Sequence, residues 1–179
     1  MLNEVNKLNT LVEIFNKLFQ NTENTVLQPG ADEPFYQAPS NNKGAVIYSR
    51  EDYFSSALHE IAHWCIAGNE RRKIDDFGYW YKPEGRSIEE QLAFEQVEVK
   101  PQAIEWAFHM ACDHPFHFSA DNLSQAIEAS DSFKLNVSNQ LNIYLANGLP
   151  RRGQILFEAL NSYFCAGREV STMQVNANV

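Results

Sequence analysis

The sequence predicts an α+β protein in which helices dominate and the sheet is small. Three observations predict it. Apolar residues recur at helical spacing over several separate windows, only short stretches such as Ala45-Val46-Ile47-Tyr48 read as strand, and helix-start and helix-stop residues punctuate the rest. The 179 residues fit one domain, 1–179, with a 44% hydrophobic and 21% charged composition that is ordinary for a globular chain. At this length roughly 70% of the extended surface is buried on folding.

The elements follow in order. Residues 1–20 carry Leu8, Leu11, Val12, Phe15 and Phe19 on one face and read as an N-terminal helix. Residues 21–43 contain Pro29-Gly30, Pro34, Pro39 and Asn41-Asn42 and read as an irregular segment. A core of 44–167 follows. It opens on the 45–48 strand, which runs into Ser49-Arg50-Glu51-Asp52, a Ser-x-x-acid signature for the start of a helix that reaches Ala67 and stops at Gly68. Residues 69–86 read as a loop with a strand piece, its aromatics Phe77, Tyr79, Trp80 and Tyr81 serving core and rim packing. Ser87-Ile88-Glu89-Glu90 opens another helix, which Pro101 is expected to break near Lys100. Helical pattern resumes at 102–111, and further helices are expected at 120–129, 133–146 and 152–165, with Gly148, Pro150 and Gly167 as stops. Residues 168–179 are polar and read as a frayed tail.

Charge and cysteine content exclude several functions. With 14 basic against 23 acidic residues the net charge is −9, which disfavours nucleic acid and anionic membranes as partners. No apolar run is long enough to span a bilayer, and Met1-Leu2-Asn3-Glu4 does not open a signal peptide, so a cytoplasmic protein is expected. Cys65, Cys112 and Cys165 are odd in number and widely spaced, which fits free thiols rather than a disulfide framework or a C-x-x-C metal pair.

The chemistry concentrates in His59-Glu60-Ile61-Ala62-His63. Four helical residues turn about 400° and rise roughly 6 Å, so His59 and His63 share one face and can ligate one ion. Around them Ala57, Leu58, Ile61, Ala62, Trp64 and Cys65 make the helix a buried one, and buried imidazoles need partners. A strand directly before such a helix is the local order of zincin-like sites. A third ligand is needed from another element. The helix from Ser87 offers Glu95 and Glu98, which at i,i+3 spacing point to a similar side. Glu98, closer to the Pro101 break, is the better placed; the other could orient a histidine. His109, His114 and His117 with Cys112 match no compact metal template and read as hydrogen-bonded or surface side chains. Arg71-Arg72-Lys73 is the one dense basic run, a solvated surface that could meet an acidic partner.

Two histidines and a carboxylate serve two chemistries. With zinc they hold a water, and Glu60 would be the general base of a small cytoplasmic metallopeptidase of gluzincin type. With iron(II) they leave positions open for dioxygen. No histidine has an acid two positions on, and strand content is low, so a standard 2-oxoglutarate oxygenase barrel is not expected.

Three strings carry a family resemblance: Ala57-Leu58-His59-Glu60-Ile61-Ala62-His63-Trp64-Cys65-Ile66-Ala67-Gly68, Asp76-Phe77-Gly78-Tyr79-Trp80-Tyr81, and Phe94-Glu95-Gln96-Val97-Glu98-Val99-Lys100-Pro101-Gln102-Ala103. With Asn147-Gly148-Leu149-Pro150 they resemble the bacterial elongation factor P hydroxylases over roughly residues 45–165. The resemblance implies a metal-dependent enzyme, iron(II) with dioxygen as co-substrate, that hydroxylates the β-lysylated lysine of elongation factor P. It implies His59, His63 and Glu98 as ligands, with Glu60 beside the ion as a base or an orienter of water. No nucleotide-binding glycine fingerprint is present, so electrons would come from a small reductant or an external donor.

Overall fold

In the computed structural model, which describes residues 3–76, 86–119 and 129–167, five helices accompany a three-stranded sheet, and the first two pack on it. The order is α1 (Glu4–Phe19), β1 (Thr25–Ala31), β2 (Phe35–Gln37), β3 (Ala45–Arg50), α2 (Phe54–Ile66), a single 3-10 turn (Arg71–Lys73), α3 (Ile88–Ala111), α4 (Asp131–Asn147) and α5 (Arg151–Phe164). The helix expected at 120–129, the strand piece and aromatics of 77–85, and the tail 168–179 lie outside the described residues.

The N-terminal helix forms as its pattern predicts. The Asn3 side chain accepts the amide hydrogen of Asn6, and Leu8, Leu11, Phe15 and Phe19 are buried along one face. Phe15 and Phe19 both meet the Trp64 ring, at centroid distances of 5.2 and 5.0 Å, so α1 closes over the end of α2 that carries His63.

The 21–43 segment is not irregular throughout, because it contributes two strands. β1 pairs parallel with β3 (Leu27 opposite Ile47) and β2 pairs antiparallel with it (Tyr36 opposite Ile47), giving the order β1-β3-β2. Pro29-Gly30 interrupts β1 without ending it. The register shifts between Gln28 and Ala31, and Gly30 takes φ +94°, a conformation glycine adopts without Cβ strain. Gly44, just before β3, is demanded by close approach: a Cβ there would lie 2.8 Å from the Asn24 carbonyl oxygen.

Two further expectations are corrected. The Ser49-x-x-Asp52 signature does not cap a helix. Ser49 lies fully buried in β3, the central strand, which holds Arg50 opposite Ala31; Glu51 then turns the chain at φ +43°, and α2 begins at Phe54 with Tyr53 as its N-cap. Sheet pairing on both edges outcompetes a local cap. Pro101 does not break α3, which runs unbroken from Ile88 to Ala111. Proline inside a helix costs about 3 kcal/mol, but α3 packs against α2, α4 and α5 at once, and Ala103, Ile104, Ala107 and Phe108 are fully buried around that point. Tertiary packing therefore holds the helix through the missing hydrogen bond.

The remaining boundaries agree within a residue or two. Ser87 and Glu90 form a reciprocal capping box, and Ser130 caps α4. Gly148 ends α4 at φ +91°, and Pro150 precedes α5. One core joins α1, the sheet, α2, α5 and one side of α3. A second sits between α3 (Ala103, Ala107) and α4 (Phe133, Val137, Leu141). No described helix is long and apolar enough to cross a membrane.

Candidate metal centre

Helix α2 is apolar on every side but one. Phe54, Ala57, Leu58, Ile61, Ala62, Trp64 and Cys65 are buried, while Ser55, Ser56, His59, Glu60 and His63 form the stripe that faces a cavity of about 440 Å³. The opposite wall is α3. Its residues 98, 102, 105 and 109 stand at i, i+4, i+7 and i+11, a helical stripe of polar groups. All four are buried: Glu98, Gln102, Glu105 and His109.

The two stripes meet at His59 and His63. Their Nε2 atoms face each other at 3.0 Å. Glu98 Oε1 lies 3.2 Å from His63 Nε2, and Oε2 lies 3.7 Å from His59 Nε2. Among the described residues, these three side chains form a group whose ligand atoms all lie within 4.8 Å of one another. Glu98 Oε2 is buried with no hydrogen-bond partner, so its lone pairs are available to a cation. Two imidazoles and a carboxylate form the donor set of a divalent metal with positions left open. The residues fit such an ion.

Electrostatics give the same reading. Burial would raise the Glu98 carboxyl, but the imidazoles of His63 and His59 outweigh it and hold it at about 2. Burial would lower the His59 pKa, but Glu105, then Glu98 and Glu60, raise it to about 10. For Glu60 burial wins, and its carboxyl titrates above the usual range despite both histidines. Three carboxyl groups around two imidazoles favour positive charge at this point.

Glu95, the rival to Glu98, is used elsewhere. Its carboxylate accepts from the Ser130 hydroxyl at 2.6 Å and the Ser130 amide at 3.2 Å, tying the start of α4 to α3. The histidine-orienting acid is instead Glu105, whose Oε2 accepts from His59 Nδ1 at 2.8 Å. The sequence reading passed over Glu105, although the Glu98–Glu105 spacing of two helical turns is a visible signal. It also passed over Arg152, whose Nη2 reaches the carbonyls of Trp64 (2.9 Å), Cys65 (3.1 Å) and Ala67 (2.6 Å) and caps the C-terminus of the metal helix.

Of the basic run, Arg71 pairs with Asp76 and Arg72 with Glu23 at 3.0 Å, so two of the three cations hold the fold together; Lys73 stays exposed beside Glu70. His117 is exposed and lines the cavity, while His109 and His114 lie away from it behind Glu105.

Comparison with known proteins places the chain. The profile of a family described as elongation factor P hydroxylase matches residues 14–175. A protein of Haemophilus influenzae named elongation factor P lysine hydroxylase is 46% identical over 167 residues, 92% of this chain and 93% of that protein.

Proposed function

Because the chain belongs to the elongation factor P hydroxylase family, we propose that it hydroxylates the β-lysylated lysine of elongation factor P at an iron(II) ion held by His59, His63 and Glu98. The chain is a protein lysine hydroxylase by its family and by its similarity to the Haemophilus influenzae enzyme. The family favours this reading over the zinc metallopeptidase. The observation that carries the metal assignment is the buried Glu98 carboxylate, one oxygen of which has no hydrogen-bond partner, facing two imidazole nitrogens.

Iron(II) at that position would supply activation of dioxygen, chemistry that redox-inert zinc lacks. The rest falls to the protein. His59 and His63 present Nε2 atoms at one point because they stand one helical turn apart on a helix whose other faces are locked in the core. Glu98 approaches from α3, already ionised. Glu60 lines the cavity beside the pair, where its carboxyl can hydrogen-bond water or the substrate and orient it. Asp32 and Glu33 also line the cavity; their charge suits a cationic lysyl side chain entering from solvent, alongside Arg50 and Arg86, which keep the site from being uniformly acidic. A cavity of about 440 Å³ lies in the usual range for a bound small group, enough for a side-chain arm rather than a folded segment.

The test is direct. The full chain is incubated with iron(II), a reductant and lysylated elongation factor P, and intact-mass spectrometry reads the product. A gain of one oxygen in air, absent when air is excluded, is the expected result. No gain with iron(II) under any reductant would overturn the reading.

A further inference from the structure

Behind the metal centre runs a row of buried polar side chains with no part in the ligand set. It begins at His59 Nδ1, 2.8 Å from Glu105 Oε2. Glu105 Oε1 faces His109 Nε2 at 3.6 Å, an electrostatic contact beyond hydrogen-bond distance. His109 Nδ1 faces His114 Nδ1 at 3.1 Å, and that same His114 nitrogen lies 3.1 Å from the Pro115 carbonyl oxygen. The chain is folded back to make this last contact: Asp113, at φ +47°, reverses the backbone after α3, and the His114 amide donates to the His109 carbonyl at 3.0 Å.

The hydrogen positions follow by elimination. A carbonyl only accepts, so His114 Nδ1 must carry its hydrogen. Two N–H groups cannot face each other at 3.1 Å, so His109 Nδ1 is the bare, accepting nitrogen. The His109 hydrogen then sits on Nε2, on the side of the Glu105 carboxylate. That carboxylate accepts the His59 Nδ1 hydrogen, which leaves His59 Nε2 to face Glu98 and His63. Glu105 thus selects the nitrogen of His59 offered to the ion, and the Pro115 carbonyl, through His114 and His109, turns an N–H rather than a lone pair toward that carboxylate. Burial lowers the His114 pKa, in keeping with a neutral ring there, and its Nε2 lies 3.6 Å from Glu4 Oε1 on the outer side.

We propose that Glu105, His109 and His114 are positioning residues that fix the tautomer and ring orientation of His59 and so set the affinity of the metal centre. The proposal rests on the assignment of His59, His63 and Glu98 as ligands. Burying His109 at a helix position that could hold leucine has no packing advantage, because its ring needs a partner for two nitrogens.

The experiment has two parts, both on the full chain. Long-range proton–nitrogen NMR of ¹⁵N-histidine-labelled metal-free protein reads the tautomers. His114 should show the Nδ1–H form and His109 the Nε2–H form; an Nδ1–H form at His109 overturns the row. Zinc affinity is then measured by chelator competition. Removing an outer partner of a ligating histidine typically weakens binding about 10- to 100-fold. His109→Leu should lose about tenfold, and His109→Gln, whose amide places a donor where Nε2 was, should recover to within about threefold of the parent. A His109→Leu variant that binds zinc as the parent does overturns the proposal, as does a Gln variant no better than Leu. If His109→Leu does not fold, the tautomers and the Gln variant still decide it. A parent protein that binds no zinc overturns the ligand assignment itself, and this role with it, which is a result distinct from unchanged affinity in the variants.

Discussion

Arg152 offers the sharpest test of how the fold supports the metal helix. Its guanidinium joins α5 to the C-terminus of α2, with Nη2 within 2.6–3.1 Å of three carbonyl oxygens and the charge 4.8 Å from the centroid of the Trp64 ring. Replacement by methionine keeps much of the stem's packing and removes the charge and the donors. One nitrogen has only two hydrogens, so the three contacts are not three full bonds. A charge-assisted hydrogen-bond set is taken at about 1.5–3 kcal/mol. The ring contact adds about 0.5–1 kcal/mol, and the helix C-terminus about 0.3–1 kcal/mol. Against this stand the burial of Arg152 and its repulsion by Arg72, both of which lower its pKa and whose relief offsets part of the loss. The net expectation for Arg152→Met is a destabilisation of about 2–4 kcal/mol, or a fall in Tm of roughly 5–15 °C for a chain this size. Urea denaturation followed by circular dichroism measures it. A change below about 0.5 kcal/mol would show that the three carbonyls are satisfied without Arg152 and that α5 does not hold α2.

Gly44→Ala should destabilise the fold by about 1–3 kcal/mol, since its Cβ would lie 2.8 Å from the Asn24 carbonyl; thermal unfolding reads the effect, and an unchanged Tm would mean the strand start yields freely. Glu60→Gln should leave metal affinity nearly intact and lower hydroxylation by less than the about 100- to 10,000-fold typical of deleting a general acid–base group; complete loss of turnover with metal still bound would contradict a merely orienting role. Burial pushes the thiols of Cys65 and Cys112 up to about 12, and all three cysteines are buried. At pH 8 the folded protein should therefore resist iodoacetamide, and it should react fully once unfolded in urea. Mass spectrometry that finds rapid alkylation of the native chain at that pH would refute the placement of these residues.

The metal helix was legible because its signal is local: two histidines one turn apart in an apolar helix point to a shared partner before any tertiary contact is known. Helix ends at Ser87, Gly148 and Pro150 were legible for the same reason, since caps and stops act over a few residues. What the sequence concealed was decided by distance. Ser49 carries a valid capping pattern but is taken into β3, whose last residue, Arg50, pairs with Ala31, far upstream. Pro29-Gly30 reads as a loop, yet a bulge accommodates it within β1. Pro101 reads as a break, and packing from three neighbouring helices overrules it. The Ser130 amide and hydroxyl hold Glu95, and no spacing rule announces that contact. Glu105 had a readable signal in the polar stripe 98-102-105-109, which a search for motifs rather than for periodicity passes over.

The account turns on one ion between α2 and α3. Anaerobic titration of the full chain with iron(II), with bound metal counted after gel filtration, tests it most directly when run on the parent, Glu98→Ala and Glu95→Ala. The parent and Glu95→Ala should each retain a single ion. Glu98→Ala should lose affinity beyond the roughly 10- to 100-fold range of an outer-shell change. Parent-like binding by Glu98→Ala, or its loss in Glu95→Ala alone, would contradict the site as described.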